Sequence, residues 1–253
     1  MTILGGRHAL VTGGGRGIGR SIAASLAEVG ATVTVLGRQD APLKDAVAAG
    51  HAKGYVVADV TDEAAVDAAV KQAVSERGPI DILIANAGSA VSVPFAKSTN
   101  AQFREMFDLN VMGVVHTARA VIGDMVKRKS GRIVVNASVA GLKGYAYVTA
   151  YCMAKHAVVG FVRALAQETV NSGVTVNAVC PGYTDTDLVG GAITHVTAKT
   201  GRTEQQAIAD MLKDKPIDRL ITPGEVAAAV LFLSSPGASA ITGTTLTVAG
   251  GEI

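Results

Sequence analysis

The sequence predicts an α/β chain, a parallel sheet covered by helices on both faces, and three observations carry that prediction. Short apolar runs rich in β-branched residues alternate with alanine-rich helical stretches from end to end, the pattern of buried strands joined by crossover helices. The composition agrees: of 253 residues, 49% are hydrophobic, 29 are glycine and only 17% are charged, where about 25% charged is usual. A glycine-rich turn from Gly13 to Gly19 lies between the first strand and the first helix.

Strands are expected near 8–12, 32–36, 54–58, 81–85, 132–137, 175–179 and 245–248. Helices fall between them, and their ends carry physical signals. The first runs through Ile22, Leu26 and Val29 and stops at Gly30; Gly50, Gly78 and Gly173 stand where later helices need left-handed C-terminal caps. Thr99 with Gln102 can form a capping box, and Thr222-Pro223-Gly224-Glu225 puts a hydroxyl at the N-cap, proline at N1 and glutamate at N3. Region 185–216 departs from this rhythm. It is polar, glycine-containing and weakly periodic, with a helix expected over 203–212, and connections of that length act as lids or binding loops. It is read as a substrate lid within one domain spanning 1–253.

A net charge of +2, with no basic run longer than Lys127-Arg128-Lys129, leaves no nucleic-acid footprint. Cys152 and Cys180 lack CxxC spacing, and the first residues carry no signal peptide, so a reduced, cytoplasmic protein is expected. Stretch 226–251 is uncharged and long enough in principle to span a bilayer, but Ser234-Ser235-Pro236-Gly237 divides it into a helical and a strand-like piece; it is read as core, with no membrane partner. His8, His51, His116, His156 and His195 are scattered without paired spacing, and no metal site is expected.

The turn Gly13-Gly14-Gly15-Arg16-Gly17-Ile18-Gly19 lets backbone N–H groups approach a pyrophosphate at a helix N-terminus. Two other readings of it stand beside this one: a P-loop, which requires lysine where Arg20 stands, and a plain structural turn. An acid at the end of the second strand would bond the 2'-hydroxyl of NAD, whereas Val35-Leu36-Gly37-Arg38 offers none before Asp40. Arg38 and Arg16 suit a 2'-phosphate instead. NADP(H) is therefore the preferred cofactor, with NAD(H) as the alternative should Asp40 turn inward.

Tyr151 and Lys155 stand at i and i+4, neighbours on one helix face. A cation there stabilises a phenolate and lowers a pKa that is ordinarily about 10. Ser138 follows the fifth strand, at the edge where parallel strands present side chains to a ligand. Tyr145 and Tyr147 compete for the role of Tyr151, but their i+4 residues are Thr149 and Tyr151; only Tyr151 has a lysine.

These pieces in order resemble a short-chain dehydrogenase/reductase. The resemblance rests on Thr12-Gly13-x-x-x-Gly17-x-Gly19, Asp59-Val60, Asn86-Ala87-Gly88, Asn110 in Leu109-Asn110-Val111, Ser138, Tyr151-x-x-x-Lys155 and Pro181-Gly182-Tyr183-Thr184-Asp185-Thr186. It implies a single-domain Rossmann fold, a doubly wound seven-stranded parallel sheet in order 3-2-1-4-5-6-7, a metal-free hydride transfer, and a homotetramer. By the same resemblance, Tyr151 would be the general acid or base, Ser138 would polarise a carbonyl, and Lys155 would hold the nicotinamide ribose. Asn110 would anchor a water linked to Lys155. For the cofactor, the resemblance adds Gly15, Ile18 and Gly88 to the glycines and arginines above, Asp59 and Val60 around adenine, Asn86 at the adenosine-side ribose, and Pro181, Thr184 and Thr186 at the carboxamide. The closing Val248-Ala249-Gly250-Gly251 departs from the family's Val-Asp-Gly-Gly, and Thr184 stands where a β-branched hydrocarbon is commoner.

Within that family the sequence most resembles 3-oxoacyl-thioester reductases, so reduction of CoA or carrier-protein thioesters is the first expectation. Lys127, Arg128 and Lys129 are a candidate patch for an acidic carrier protein, while a second arginine of those enzymes is Ser172 here. A secondary-alcohol or cyclic-ketone dehydrogenase is the alternative. A third reading, a non-catalytic NADP-sensing protein, expects loss of the tyrosine or lysine, and both are present. Ser138, Ala140, Leu142, Tyr145, Tyr147 and Tyr183 are expected to line a largely apolar substrate pocket.

Overall fold

A computed structural model describes residues 2–213 and 215–253, apart from the side chains of residues 195, 196 and 199. The strands are β1 His8–Thr12, β2 Thr32–Gly37, β3 Gly54–Val57, β4 Ile82–Ala85, β5 Gly131–Asn136, β6 Val174–Pro181 and β7 Thr245–Val248. They form one parallel sheet in the order β3-β2-β1-β4-β5-β6-β7. The strands are apolar throughout because both faces are covered. On one face Leu10, Leu83, Ile133 and Val176 pack against residues such as Val66, Val114 and Val158; on the other Val11, Ile84, Val134 and Val179 pack against Ile22, Leu26, Leu43 and Val230.

The first face is supplied by α3 Glu63–Arg77, α5 Gly113–Lys127 and α6 Thr149–Thr169, the second by α1 Gly17–Glu28, α2 Asp40–Ala48 and α9 Pro223–Ser234. The Thr222 capping box opens α9, and the Thr99 capping box opens α4 Asn100–Phe107. Gly30, Gly50 and Gly173 take the positive φ expected of them. Gly78 has φ 84° but an extended ψ of 178°, so it ends α3 by turning the chain outward and not through a left-handed cap.

Region 185–216 holds more helix than expected. Besides α8 Glu204–Leu212, opened by a Thr203–Gln206 capping box, it contains α7 Asp187–Thr200. The adjacent Gly190 and Gly191, with β-branched residues around them, hide this helix at the level of propensity. It closes on Gly201 in a left-handed cap, φ 68°. Stretch 226–251 divides as read, into α9 and β7. Among the described residues no helix is long and apolar enough to cross a membrane. Cys152 and Cys180 are free and buried. The side chain of His195 lies outside the described residues.

Candidate active site

All strands point their C-terminal ends to one edge, and β1 and β4 diverge there, with connections leaving toward opposite sides of the sheet. That divergence opens a crevice in which ligands of open α/β sheets are held. The glycine turn lies in it. Gly13 (φ 64°) and Gly17 (φ 50°) use backbone that side chains disfavour. A Cβ on Gly19 would sit 2.3 Å from the Gly13 carbonyl oxygen, and one on Gly14 would sit 2.5 Å from Val35. Gly15 is backed by Pro42, and Ile18 packs against the core.

The N-terminus of α1 has Arg16 as N-cap, with no side-chain cap and no acid in the first turn. Its leading N–H groups and dipole therefore suit an anion. Thr186, at the start of region 185–216, faces this turn, its methyl 3.4 Å from a Cβ position on Gly17. The turn thus fits the pyrophosphate of a dinucleotide, with Thr186 beside it. Thr186 donates to the Thr184 carbonyl and Thr184 to the Gly182 carbonyl, which folds the chain back just past Pro181.

Asn86 holds the crevice open. Its amide donates to the Thr12 carbonyl at 2.9 Å and its oxygen accepts from Asn136 at 2.9 Å, while the Thr12 hydroxyl accepts the backbone N–H groups of Asn86 and Ala87. The side chain expected at a ribose is committed to joining the ends of β1, β4 and β5. Val60 is likewise occupied: it is buried, its carbonyl accepts from His116 at 2.9 Å, and its methyls press on Gly113. Asp59 stays at the surface. Burial opposes its charge, but hydrogen bonds from Thr61 and the Arg38 guanidinium 3.7 Å away hold its pKa below the ordinary value. Asp40 is exposed, paired with Lys44 at 2.7 Å and bonded to Tyr55.

The catalytic candidates converge one strand further on. Ser138, two residues past β5, accepts from the Ala140 N–H, and Ala140 itself is buried. The sixth helix sets Tyr151 and Lys155 on one face, with the ammonium 5.6 Å from the tyrosine ring centroid. Burial pushes Tyr151 up to about 12, against a hydrogen bond with Ser138 that lowers it. Burial also pushes Lys155 down to about 8, and its Nζ donates to the Asn136 carbonyl at 2.9 Å.

Asn110 sits in a π-helical turn, Asp108–Met112, between α4 and α5. Its amide nitrogen donates to the carbonyls of Ser89 and Met106, both at 3.0 Å. Its oxygen is buried without a protein hydrogen bond. A Cβ on Gly88 would meet that oxygen at 2.7 Å and Lys155 Nζ at 3.7 Å, so glycine there leaves the two polar groups bordering one small space.

The pocket side is more charged than the sequence implied. Tyr145 and Tyr183 meet edge to face at 6.4 Å, but the Tyr145 hydroxyl donates to Glu252 at 2.5 Å. The same carboxylate oxygen is 3.2 Å from Lys143 Nζ and pairs with Lys215 Nζ. Lys215 also lies over both rings, 4.9 Å from Tyr145 and 5.4 Å from Tyr183. Burial raises the Tyr145 pKa, as does its bond to Glu252. Tyr147 does not join them: it is 63% exposed, with φ 67°, and its carbonyl accepts from Val93. Leu142 packs into the core. Sequence reasoning missed Glu252, Lys143 and Lys215. One signal pointed to Glu252, the first charge after the uncharged stretch 226–251.

The candidate carrier-protein patch sits elsewhere. Lys127, Arg128 and Lys129 lie between the end of α5 and the start of β5, at the sheet edge opposite to Ser138. Arg128 is tied to Asp81 and Asp124, each at 2.6 Å, and to the Ile80 carbonyl.

Residues 7–196 match the family model described as short chain dehydrogenase. The 3-oxoacyl-[acyl-carrier-protein] reductase FabG of Vibrio harveyi is 38% identical over 250 residues, 98% of each chain. Among solved structures, levodione reductase superposes with TM-score 0.93 at 32% identity, covering 98% of both chains. Actinorhodin polyketide ketoreductase with NADPH gives 0.92 at 33%, covering 97% of this chain and 96% of that one.

Proposed function

The chain belongs to the short chain dehydrogenase family, and on that premise we propose that it interconverts a ketone and a secondary alcohol with NADP(H), 3-oxoacyl thioesters being the first substrate class. The coarser activity, an oxidoreductase acting on the CH–OH/ketone pair, follows from the family itself. The observation that carries the reading is the convergence of Ser138, Tyr151 and Lys155 at the C-terminal sheet edge, with the Asn110 oxygen and Lys155 Nζ both bordering Gly88.

A bound nicotinamide supplies or accepts the hydride; the chain does the rest. Tyr151 delivers a proton from its hydroxyl to the forming alkoxide, a contribution of typically 10² to 10⁴-fold. Ser138 donates a hydrogen bond to the carbonyl oxygen as charge develops there, worth about 10² to 10³-fold. Lys155 stabilises the phenolate and holds the ribose, and the Asn110 oxygen holds a water that hands a proton on toward Lys155. Gly13, Gly15, Gly17, Ile18 and Gly19 cradle the pyrophosphate. Asp59 and the Val60 and Asn86 backbones would border the adenosine half, Gly88 the cofactor beside Lys155, and Pro181, Thr184 and Thr186 the carboxamide. Preference for the 2'-phosphate is supported by the exposed Arg38 and Arg16 and by the pairing of Asp40 with Lys44.

A cyclic-ketone substrate is the second reading. It is favoured by the likeness to levodione reductase and by the position of the Lys127–Lys129 patch, at the far sheet edge of its own subunit. Free, buried Cys152 and Cys180 fit a reducing, cytoplasmic compartment. The exposed Met153, Val170 and Phe232 support the homotetramer; light scattering that gives a monomer overturns that part.

The test is a panel of 3-oxoacyl thioesters and cyclic ketones followed at 340 nm with NADPH and NADH, run on wild type and Tyr151→Phe. We expect turnover with NADPH and its loss in the variant, with NADPH still bound by calorimetry. An undiminished rate in Tyr151→Phe refutes the proton donor, and binding without turnover of any carbonyl by wild type favours a cofactor sensor.

A further inference from the structure

The proposed chemistry leaves one charged cluster unused, that of Glu252 with Lys143, Lys215 and Tyr145. Resting on the ketone reading above, we propose that Glu252 sets the charge preference of the substrate pocket: its carboxylate fills a subsite, made by Lys143, Lys215 and the Tyr145 hydroxyl, that otherwise receives an anionic substituent of the substrate.

Three separated segments build this subsite. Lys143 and Tyr145 belong to the loop between Ser138 and Tyr151, Lys215 to the end of the lid, and Glu252 to the C-terminus. Glu252 is 5% exposed, and one of its oxygens takes all three donors. The turn that carries it inward is specific: Gly250 and Gly251 have φ 58° and 88°, and a Cβ on Gly250 would strike Ile217 at 2.4 Å. The location is the substrate half of the crevice. Tyr183 and Glu252 follow β6 and β7, whereas the glycine turn follows β1, with β4 and β5 between.

Two ammonium groups and one carboxylate leave a net single positive charge in partly desolvated surroundings. Without the carboxylate, two cations and a hydroxyl would share a site that demands a counter-anion. With it, a substrate carboxylate must compete with one already in place. Glu252 therefore lowers the preference for keto acids over uncharged ketones relative to a site without it.

The experiment uses a series of methyl-ketone acids, the oxo group on the penultimate carbon, of increasing chain length from 4-oxopentanoate upward, each beside its methyl ester, with NADPH. In Glu252→Gln, which keeps an acceptor for Tyr145, the acid-to-ester ratio of kcat/KM is expected to rise at least tenfold at one or more lengths. Adding Lys143→Met and Lys215→Met to that variant should abolish the rise. An equilibrium readout separates this from the catalytic reading: the acids should raise the melting temperature of Glu252→Gln more than that of wild type, whether or not either protein turns them over. A ratio within twofold of wild type at every length, or equal thermal shifts in both proteins, overturns the proposal. Thermal shifts as expected in a protein that reduces no ketone uphold the subsite and strike the ketone reading instead.

Discussion

Replacing Lys155 by methionine tests the centre of the mechanism, because one group is asked to do opposite things for rate and for stability. Its ammonium lies 5.6 Å from the Tyr151 ring. At that separation and an effective dielectric near 20, a unit charge stabilises a phenolate by about 3 kcal/mol, on the order of 10²-fold in proton transfer. Burial has placed the two pKa values at about 12 for Tyr151 and about 8 for Lys155. Tyr151 is thus protonated throughout the working range, and the helper charge is present only below pH 8. Reduction by wild type should be flat at lower pH and fall as pH rises through about 8. Lys155→Met should be slower by on the order of 10² below pH 8, and the break should vanish. A rate within threefold of wild type, or a break at the same pH in the variant, refutes the reasoning.

The same burial makes Lys155 a cost to folding. Its pKa falls from 10.5 to about 8, which at 1.36 kcal/mol per unit is about 3 kcal/mol. Below pH 8 both states are protonated and the folded one bears the full penalty. Between 8 and 10.5 only the unfolded chain holds the proton, so stability from this group climbs with pH, and above 10.5 the penalty is gone. Losing the bond to the Asn136 carbonyl offsets about 1 kcal/mol. Lys155→Met should therefore gain about 2 kcal/mol at pH 7, roughly 4 to 8 °C in melting temperature, and less at pH 10. A lower melting temperature at pH 7, or an equal gain at both pH values, contradicts this.

Three other changes probe separate parts. Arg38→Asp removes the charge meant for a 2'-phosphate and supplies a carboxylate for a ribose hydroxyl, so KM for NADPH should rise at least tenfold while that for NADH does not; an unchanged preference sinks the NADP(H) assignment. In Gly19→Ala the new methyl meets the Gly13 carbonyl at 2.3 Å and the Asn86 amide at 2.5 Å, which should destabilise by about 1 to 3 kcal/mol and weaken NADPH binding measured by calorimetry; unaltered affinity and melting temperature would dismiss the packing argument. Thr222→Ala breaks the capping box that opens α9 and should lower the urea midpoint by the equivalent of about 1 kcal/mol at constant slope; no movement of the midpoint would show that the cap is idle.

Much of this was legible in the residues because the features concerned are local. Parallel strands buried on both faces must be apolar runs, and the helices between them announce their ends with Gly30, Gly50, Gly173 and the boxes at Thr99 and Thr222. The pairing of Tyr151 with Lys155 was readable for the same reason, since i and i+4 share a face whatever the rest of the chain does. Helix α7 escaped notice because its glycines and β-branched residues lower helical propensity.

The sequence by itself determined the sheet, the glycine turn after β1 and the spacing that sets Tyr151 and Lys155 on one helix face. Tertiary structure alone decided how side chains from distant segments share their partners. It committed Asn86 to joining three strand ends, turned Asp40 to Lys44, tied Arg128 to Asp81 and Asp124, and left Tyr147 in solvent. It also brought Glu252 to Lys143 and Lys215, across sequence separations of 109 and 37 residues that no periodicity spans. Spacing rules reach one helical turn or one strand pair; the charge of a pocket depends on which loops and which terminus fold over it.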